Sequence, residues 1–197
     1  MKINIVKTLV TLSTPIISLL TMSRSIAQEW HPDAVIQSMY AGVAYIHGYK
    51  AIPRVYKPIP AGSRTRCGVM VAMNAFYCPL DHSIYISNDM IAFAYRFGDA
   101  ALAYIIGHEY AHAMQNAYGF NRNNSHITEL QADCLSGFYM KAVPNIVFDQ
   151  RDIQEIQALA YSIGDHNRWS RNHHGTPSQR LKAVTIGMSA SNLLGCF

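Results

Sequence analysis

The stretch that most restricts how this chain can fold is residues 98–118, a helix-forming run with almost no polar face. Alanines stand at 100, 101, 103, 111, 113 and 117, with Leu102, Ile105, Ile106 and Met114 among them. A helix that is apolar on nearly every side cannot lie on a surface, so the rest of the chain has to wrap it. Asp99 is placed to cap its start, and Gly119 ends it. Gly107, in its middle, costs about 1 kcal/mol there relative to alanine and predicts a close approach by another backbone.

Into this apolar helix the sequence sets His108-Glu109-Tyr110-Ala111-His112. Histidines four residues apart project from one face, about one turn apart, so two neutral imidazoles can reach one Zn²⁺. Glu109 points beside such an ion rather than at it, where a carboxylate can take a proton from a zinc-bound water. The bland alternative is a buried helix with two hydrogen-bonded histidines. A tetrahedral catalytic zinc needs a third protein ligand and one open position. Glu129 is the best candidate: it opens a helix separated from His112 by one loop, so that helix can fold back against the first. Asp133 shares the face of Glu129, where a second carboxylate can accept the far N–H of a zinc histidine and fix its tautomer. Taken alone, Glu129 reads as a first-turn acid favoured by the helix dipole. A purely structural zinc would need a fourth ligand, for which His126 and His166 are the spare histidines.

The start of the chain reads as an export signal. Lys2 and Lys7 precede an apolar stretch, and Ser25-Ile26-Ala27 is a small-x-small cleavage site. Residues 1–27 are therefore expected to be a signal peptide and 28–197 one domain beginning at Gln28. The apolar run is short for a membrane span of about 20 residues; the rival reading is an uncleaved anchor, and no second span follows. Losing Lys2, Lys7 and Arg24 lowers the formal charge from +4 to +1. No basic stripe with interleaved aromatics is present, so a nucleic-acid partner is not expected. Cys67, Cys78, Cys134 and Cys196 all follow the cleavage site. An even count in an exported chain predicts two disulfides, with three possible connectivities.

The remaining segments frame the central helix. Residues 31–49 carry Val35, Ile36, Met39, Val43 and Ile46 at near-helical spacing. Residues 51–60 hold three prolines and read as an extended connector. Residues 64–87 read as strands, with a hairpin between 74–78 and 83–87 in which Ile84 and Ile86 face opposite to Ser83, Tyr85 and Ser87. That hairpin is either plain core or a sheet edge able to receive a peptide as an added strand. Short helical signals cover 88–97. A third long helix, capped by Ser125 or Thr128, runs to about 143, before Pro144. A fourth covers 149–163, and 164–175 is a polar loop that includes Trp169, with His166 and His173 read as solvated. Thr176-Pro-Ser-Gln179 is a strong helix start, with the cap, a first-turn proline and a glutamine three residues on.

Several motifs stand in a fixed order: Arg66-Cys-Gly68, Phe76-Tyr-Cys-Pro79, Ile84-Tyr85, Arg96-Phe-Gly-Asp99, Gly107-His-Glu-Tyr-Ala-His112 with Gln115, Glu129-Leu-Gln-Ala-Asp-Cys134, and His174-Gly-Thr-x-x-Gln179-Arg180. From about residue 67 to 197 this set resembles the bacterial neutral zinc metallopeptidase family, a gluzincin-like group with a glutamate as third ligand. The resemblance implies an α+β, zincin-like fold, with a small β-sheet packed over the HExxH active-site helix and a helical C-terminal part. It matches His108, His112 and Glu129 to the ligands of one Zn²⁺ and Glu109 to the catalytic acid. It favours His174 as the donor to a developing oxyanion. Arg180 is expected to orient an active-site carboxylate or a substrate terminus. Asn74-Ala75, Tyr110-Ala111 and Ala183-Val184 depart from the commoner residues at their positions, and none is a ligand.

The cysteines are expected to pair as Cys67–Cys78, across the hairpin region, and Cys134–Cys196, an ending that resembles relatives finishing with a cysteine near a terminal Phe. The function implied is hydrolysis of peptide bonds in a peptide or protein substrate by an exported, periplasmic or secreted metallopeptidase. The alternative is a zinc-containing peptide-binding protein that keeps the fold and does no chemistry.

Overall fold

The computed structural model describes residues 29–55, 57–120, 126–167 and 174–197. The expected signal segment, Ser125, Trp169 and His173 lie outside the described residues. The helices are α1 (Pro32–Ile46), α2 (Asn88–Ala94), α3 (Asp99–Ala117), α4 (His126–Ala142), α5 (Gln150–Ser162) and α6 (Pro177–Ser189). The strands are β1 (Arg54–Val55), β2 (Arg64–Thr65), β3 (Gly68–Val69), β4 (Ala75–Cys78) and β5 (Ser83–Ile86), and a 3-10 turn, Leu193–Cys196, closes the chain. The architecture is α+β.

Helix α3 is enclosed as its composition demands: fifteen of its nineteen residues are buried. It packs against α1, α2, α4, α5, β4 and β5. Gly98 occupies the cap position without a side-chain bond, and Asp99 is the first helical residue instead of the cap. Its Oδ2 accepts the Trp30 N–H at 2.6 Å. The close approach expected at Gly107 is present, but it comes from a side chain. A Cβ there would meet Ser136 Oγ of α4, and that hydroxyl donates to the Tyr104 carbonyl at 2.8 Å.

The sheet is small because its strands are short. Its order is β1-β5-β4, with β1 parallel and β4 antiparallel to β5. The proline-rich connector does more than connect: Arg54 and Val55, between Pro53 and Pro58, pair with Ser83 and Ile84. Alternation along β5 holds as expected. Ile84 and Ile86 enter the main core with α3, while Tyr85 packs on the other face with Met70 and Cys78. Strand β4 is an edge, and it packs against α3 as β5 does.

Caps fix the later helices. Asp149 and Asp152 form a capping box on α5, and Thr176 and Gln179 form one on α6 with Pro177 at its first position. Thr128 lies inside α4 and is not its cap. Helices α4 and α6 touch at their backbones. A Cβ on Gly137 would run into the Val184 carbonyl, and one on Gly187 into the Cys134 carbonyl. Glycine on both sides permits an approach that no other residue pair would.

Cys67 and Cys78 stand at bonding distance, as do Cys134 and Cys196, and no cysteine is free. The first pair ties the β2–β3 turn to the end of β4; the second ties the C-terminal turn to α4. These pairs are compatible with export. No helix among the described residues is long and apolar enough to cross a membrane. Replacing Cys134 and Cys196 by serine should lower unfolding free energy by about 2–4 kcal/mol. The loss should exceed that of the Cys67/Cys78 pair, because the ring is 62 residues long against 11. Denaturant melts of the two double variants test the order.

Candidate metal centre

His108 and His112 point from α3 toward the first turn of α4, where Glu129 meets them. His108 Nε2 and His112 Nε2 are 3.1 Å apart, and Glu129 Oε2 lies 3.3 Å from the first and 3.4 Å from the second. Ligands about 2.0–2.1 Å from a tetrahedral zinc stand roughly 3.3 Å from one another, so two nitrogens and one oxygen at these separations fit the ion. Among the described residues these three form one possible metal group. His126 and His166 are outside it, so among the described residues no fourth protein ligand of the kind a structural zinc needs joins it.

Each imidazole is held from behind. His108 Nδ1 lies 2.8 Å from Asp133 Oδ1. Asp133 is fully buried and takes two bonds from Arg180, Nε to Oδ2 at 2.9 Å and Nη2 to Oδ1 at 2.7 Å. Tyr104 donates to the same Oδ1 at 2.5 Å and accepts from Arg180 Nη2 at 3.1 Å. Burial by itself would raise the Asp133 carboxyl; the Arg180 guanidinium and His108 together outweigh it and hold the group below its ordinary range. Of the two tasks expected of Arg180, orienting a carboxylate is the one its contacts serve. His112 Nδ1 meets Gln115 Oε1 at 2.8 Å. Gln115 stood only inside a motif in the sequence; its place three residues after His112, on a neighbouring part of the helix surface, was the available signal.

Glu109 stands apart from the metal group. Its Oε2 accepts the backbone N–H of Tyr77, on β4, at 2.8 Å. His174, half exposed, brings Nδ1 to 2.7 Å from Glu129 Oε2. In this arrangement it contacts the carboxylate rather than standing alone as an oxyanion donor. All five residues line a cavity of about 590 Å³. Met90, Phe93, Ile105 and Ile163 give that cavity an apolar wall.

A second acidic group, Asp99, Asp152 and Glu155, borders a smaller cavity of about 270 Å³ beside α1 and α5. Two of these residues open α5 or α3, where the helix dipole favours carboxylates. Arg151 pairs with Glu155 at 3.0 Å. Helix termini account for this group.

Comparison with known proteins adds a family. A family model described as "Putative neutral zinc metallopeptidase" matches residues 59–196. "Uncharacterized protein YpfJ" of Escherichia coli (strain K12) is 28% identical over 164 residues, covering 68% of this chain and 57% of the relative. "Uncharacterized protein Rv2575" of Mycobacterium tuberculosis and "Uncharacterized protein Mb2605" of Mycobacterium bovis are each 28% identical over 162 residues, covering 62% of this chain and 54% of theirs. The chain thus spans a little over half the length of these relatives. No solved structure gives a significant match.

The electrostatics set the pH dependence of metal binding. Burial lowers the His108 pKa, but the Asp133 and Glu129 carboxylates more than reverse this and bring it to about 10 without metal. Below that value the metal-free site holds a proton on His108, which a cation must displace. Zinc should therefore bind at one per chain, release a proton near pH 7, and bind more tightly as pH rises toward 10. Calorimetric titrations in two buffers of different ionisation heat measure the release. Identical heats, or full retention of zinc by His112→Ala, would contradict the assignment.

Proposed function

The chain belongs to the neutral zinc metallopeptidase family, and on that premise we propose that it is a zinc-dependent peptidase of zincin-like fold acting on extended peptide segments. The observation that carries the reading is the convergence of His108, His112 and Glu129 within 3.1–3.4 Å, with Glu109 tethered to the neighbouring sheet edge. His108, His112 and Glu129 would hold the metal. Zinc supplies a Lewis acid that polarises a carbonyl and brings a water's pKa to about 7.

The chain's own residues do the rest. Glu109 takes the proton of the attacking water and returns it to the leaving amine. Its fixed Oε2 leaves the other carboxylate oxygen for that exchange. The Tyr77 N–H that holds it points away from β5, so Tyr77 and Ala75, two residues apart, turn their outer backbone groups toward the cavity. An extended peptide can pair there as an added strand. His174, at the rim, has an N–H to offer either Glu129 or an oxyanion.

Hydrolysis of an unfolded protein by the zinc-loaded chain tests this. Glu109→Gln should keep the metal and lose turnover, because the base is not a ligand. In the same assay His174→Ala should lower kcat on the order of a hundredfold at saturating zinc. Undiminished hydrolysis by Glu109→Gln would leave a peptide-binding protein as the better reading. The proposal also has the chain working after export, without residues 1–27; N-terminal sequencing of exported material should start at Gln28, and a start at Met1 would count against it.

A further inference from the structure

The two proposed imidazole ligands are supported by different chemistry. His108 is backed by a carboxylate with its own counter-ion, Arg180. His112 is backed by the uncharged amide of Gln115, which is 1% exposed. An amide has one donating and one accepting end, and here its surroundings decide which faces the histidine. Gln115 Nε2 donates to the Thr128 carbonyl at 2.8 Å and to Gln131 Oε1 at 3.0 Å. A backbone carbonyl only accepts, so the NH₂ end must face α4. Oε1 is left toward His112, and it too only accepts. His112 must then carry its proton on Nδ1, which leaves the lone pair on Nε2, the atom 3.1 Å from His108 and 3.4 Å from Glu129.

The same amide grips the residue before Glu129. One side chain thus sets the tautomer of a ligand on α3 and ties that ligand to the turn of α4 that bears another. Gln131 extends the link to the C-terminal turn, donating to the Cys196 carbonyl at 3.3 Å. Charge explains why the group is an amide. Glu109, Glu129 and Asp133 are three carboxylates, and Arg180 with a dication would offset all of them. A carboxylate at 115 would add a buried negative charge facing the Thr128 carbonyl and the Gln131 amide oxygen.

We propose that Gln115 is a positioning residue of the metal site, acting through the His112 tautomer. This rests on the zinc reading given above, but not on peptide hydrolysis. Zinc affinity is measured by chelator competition for the native chain, Gln115→Leu and Gln115→Glu, together with melting curves of the metal-free proteins. Gln115→Leu removes the acceptor and should weaken zinc binding about 10–100-fold. Gln115→Glu restores an acceptor while losing the donor to Thr128, so it should recover most of that loss although its metal-free form melts lower.

Nitrogen-15 NMR of the native zinc-loaded chain should find His112 protonated at Nδ1, whether or not the variants fold. Equal affinity of Gln115→Leu and native protein, or a proton on His112 Nε2, would overturn the proposal. Gln115→Glu binding as weakly as Gln115→Leu would reduce the residue to a bridge between helices and also overturn it. A native chain that binds no zinc would overturn this proposal and the metal assignment together; zinc binding without hydrolysis would sink only the peptidase reading.

Discussion

The ion pair of Asp133 with Arg180 is the interaction on which the rest of the site depends. Both side chains are almost wholly buried. Removing either partner from such a pair typically costs about 3–5 kcal/mol, since it strands the other charge in a poorly solvated interior. Here the pair is closed by a third group, the Tyr104 hydroxyl, which bonds to both. Tyr104 belongs to α3, Asp133 to α4 and Arg180 to α6. Three helices are therefore locked in register by one charged contact, and His108 Nδ1 lies 2.8 Å from the same carboxylate. Stability and metal geometry are not separable properties at this point of the fold.

Much of this was legible in the chain, for reasons that differ by residue. The buried nature of α3 followed from alanine and isoleucine where a surface helix would have charges. The α6 cap followed from the local chemistry of Thr176, Pro177 and Gln179. Local rules work where the partners are within one turn. The meeting of Glu129 with the histidines came from the H-E-x-x-H pattern, the single loop before α4 and the family resemblance, and it needed the return of α4 against α3 to become a geometry.

What stayed hidden was mostly non-local. Nothing near Arg54 says that it pairs with Ser83, 29 residues on, so a strand flanked by prolines read as a connector. The choice between a carboxylate and a substrate terminus for Arg180 turned on a partner 47 residues earlier. Gln115 was legible only as part of a motif three residues after His112, because its NH₂ end is satisfied by Thr128 and Gln131 on α4, which only folding brings near. Asp99 was misplaced by one position: Gly98 takes the cap, while the acid serves the backbone of Trp30.

The glycines at 137 and 187 give the site a sensitivity far from any ligand. Neither position tolerates even a methyl group unless α4 and α6 move apart. Gly137 lies one turn beyond Asp133 and Gly187 two turns beyond Arg180, so separating the helices there draws the guanidinium off the carboxylate. An alanine with no contact to any proposed ligand would then act as a lever on His108. Along this one seam the smallest possible side chain sets how near two helices that carry opposite charges can lie.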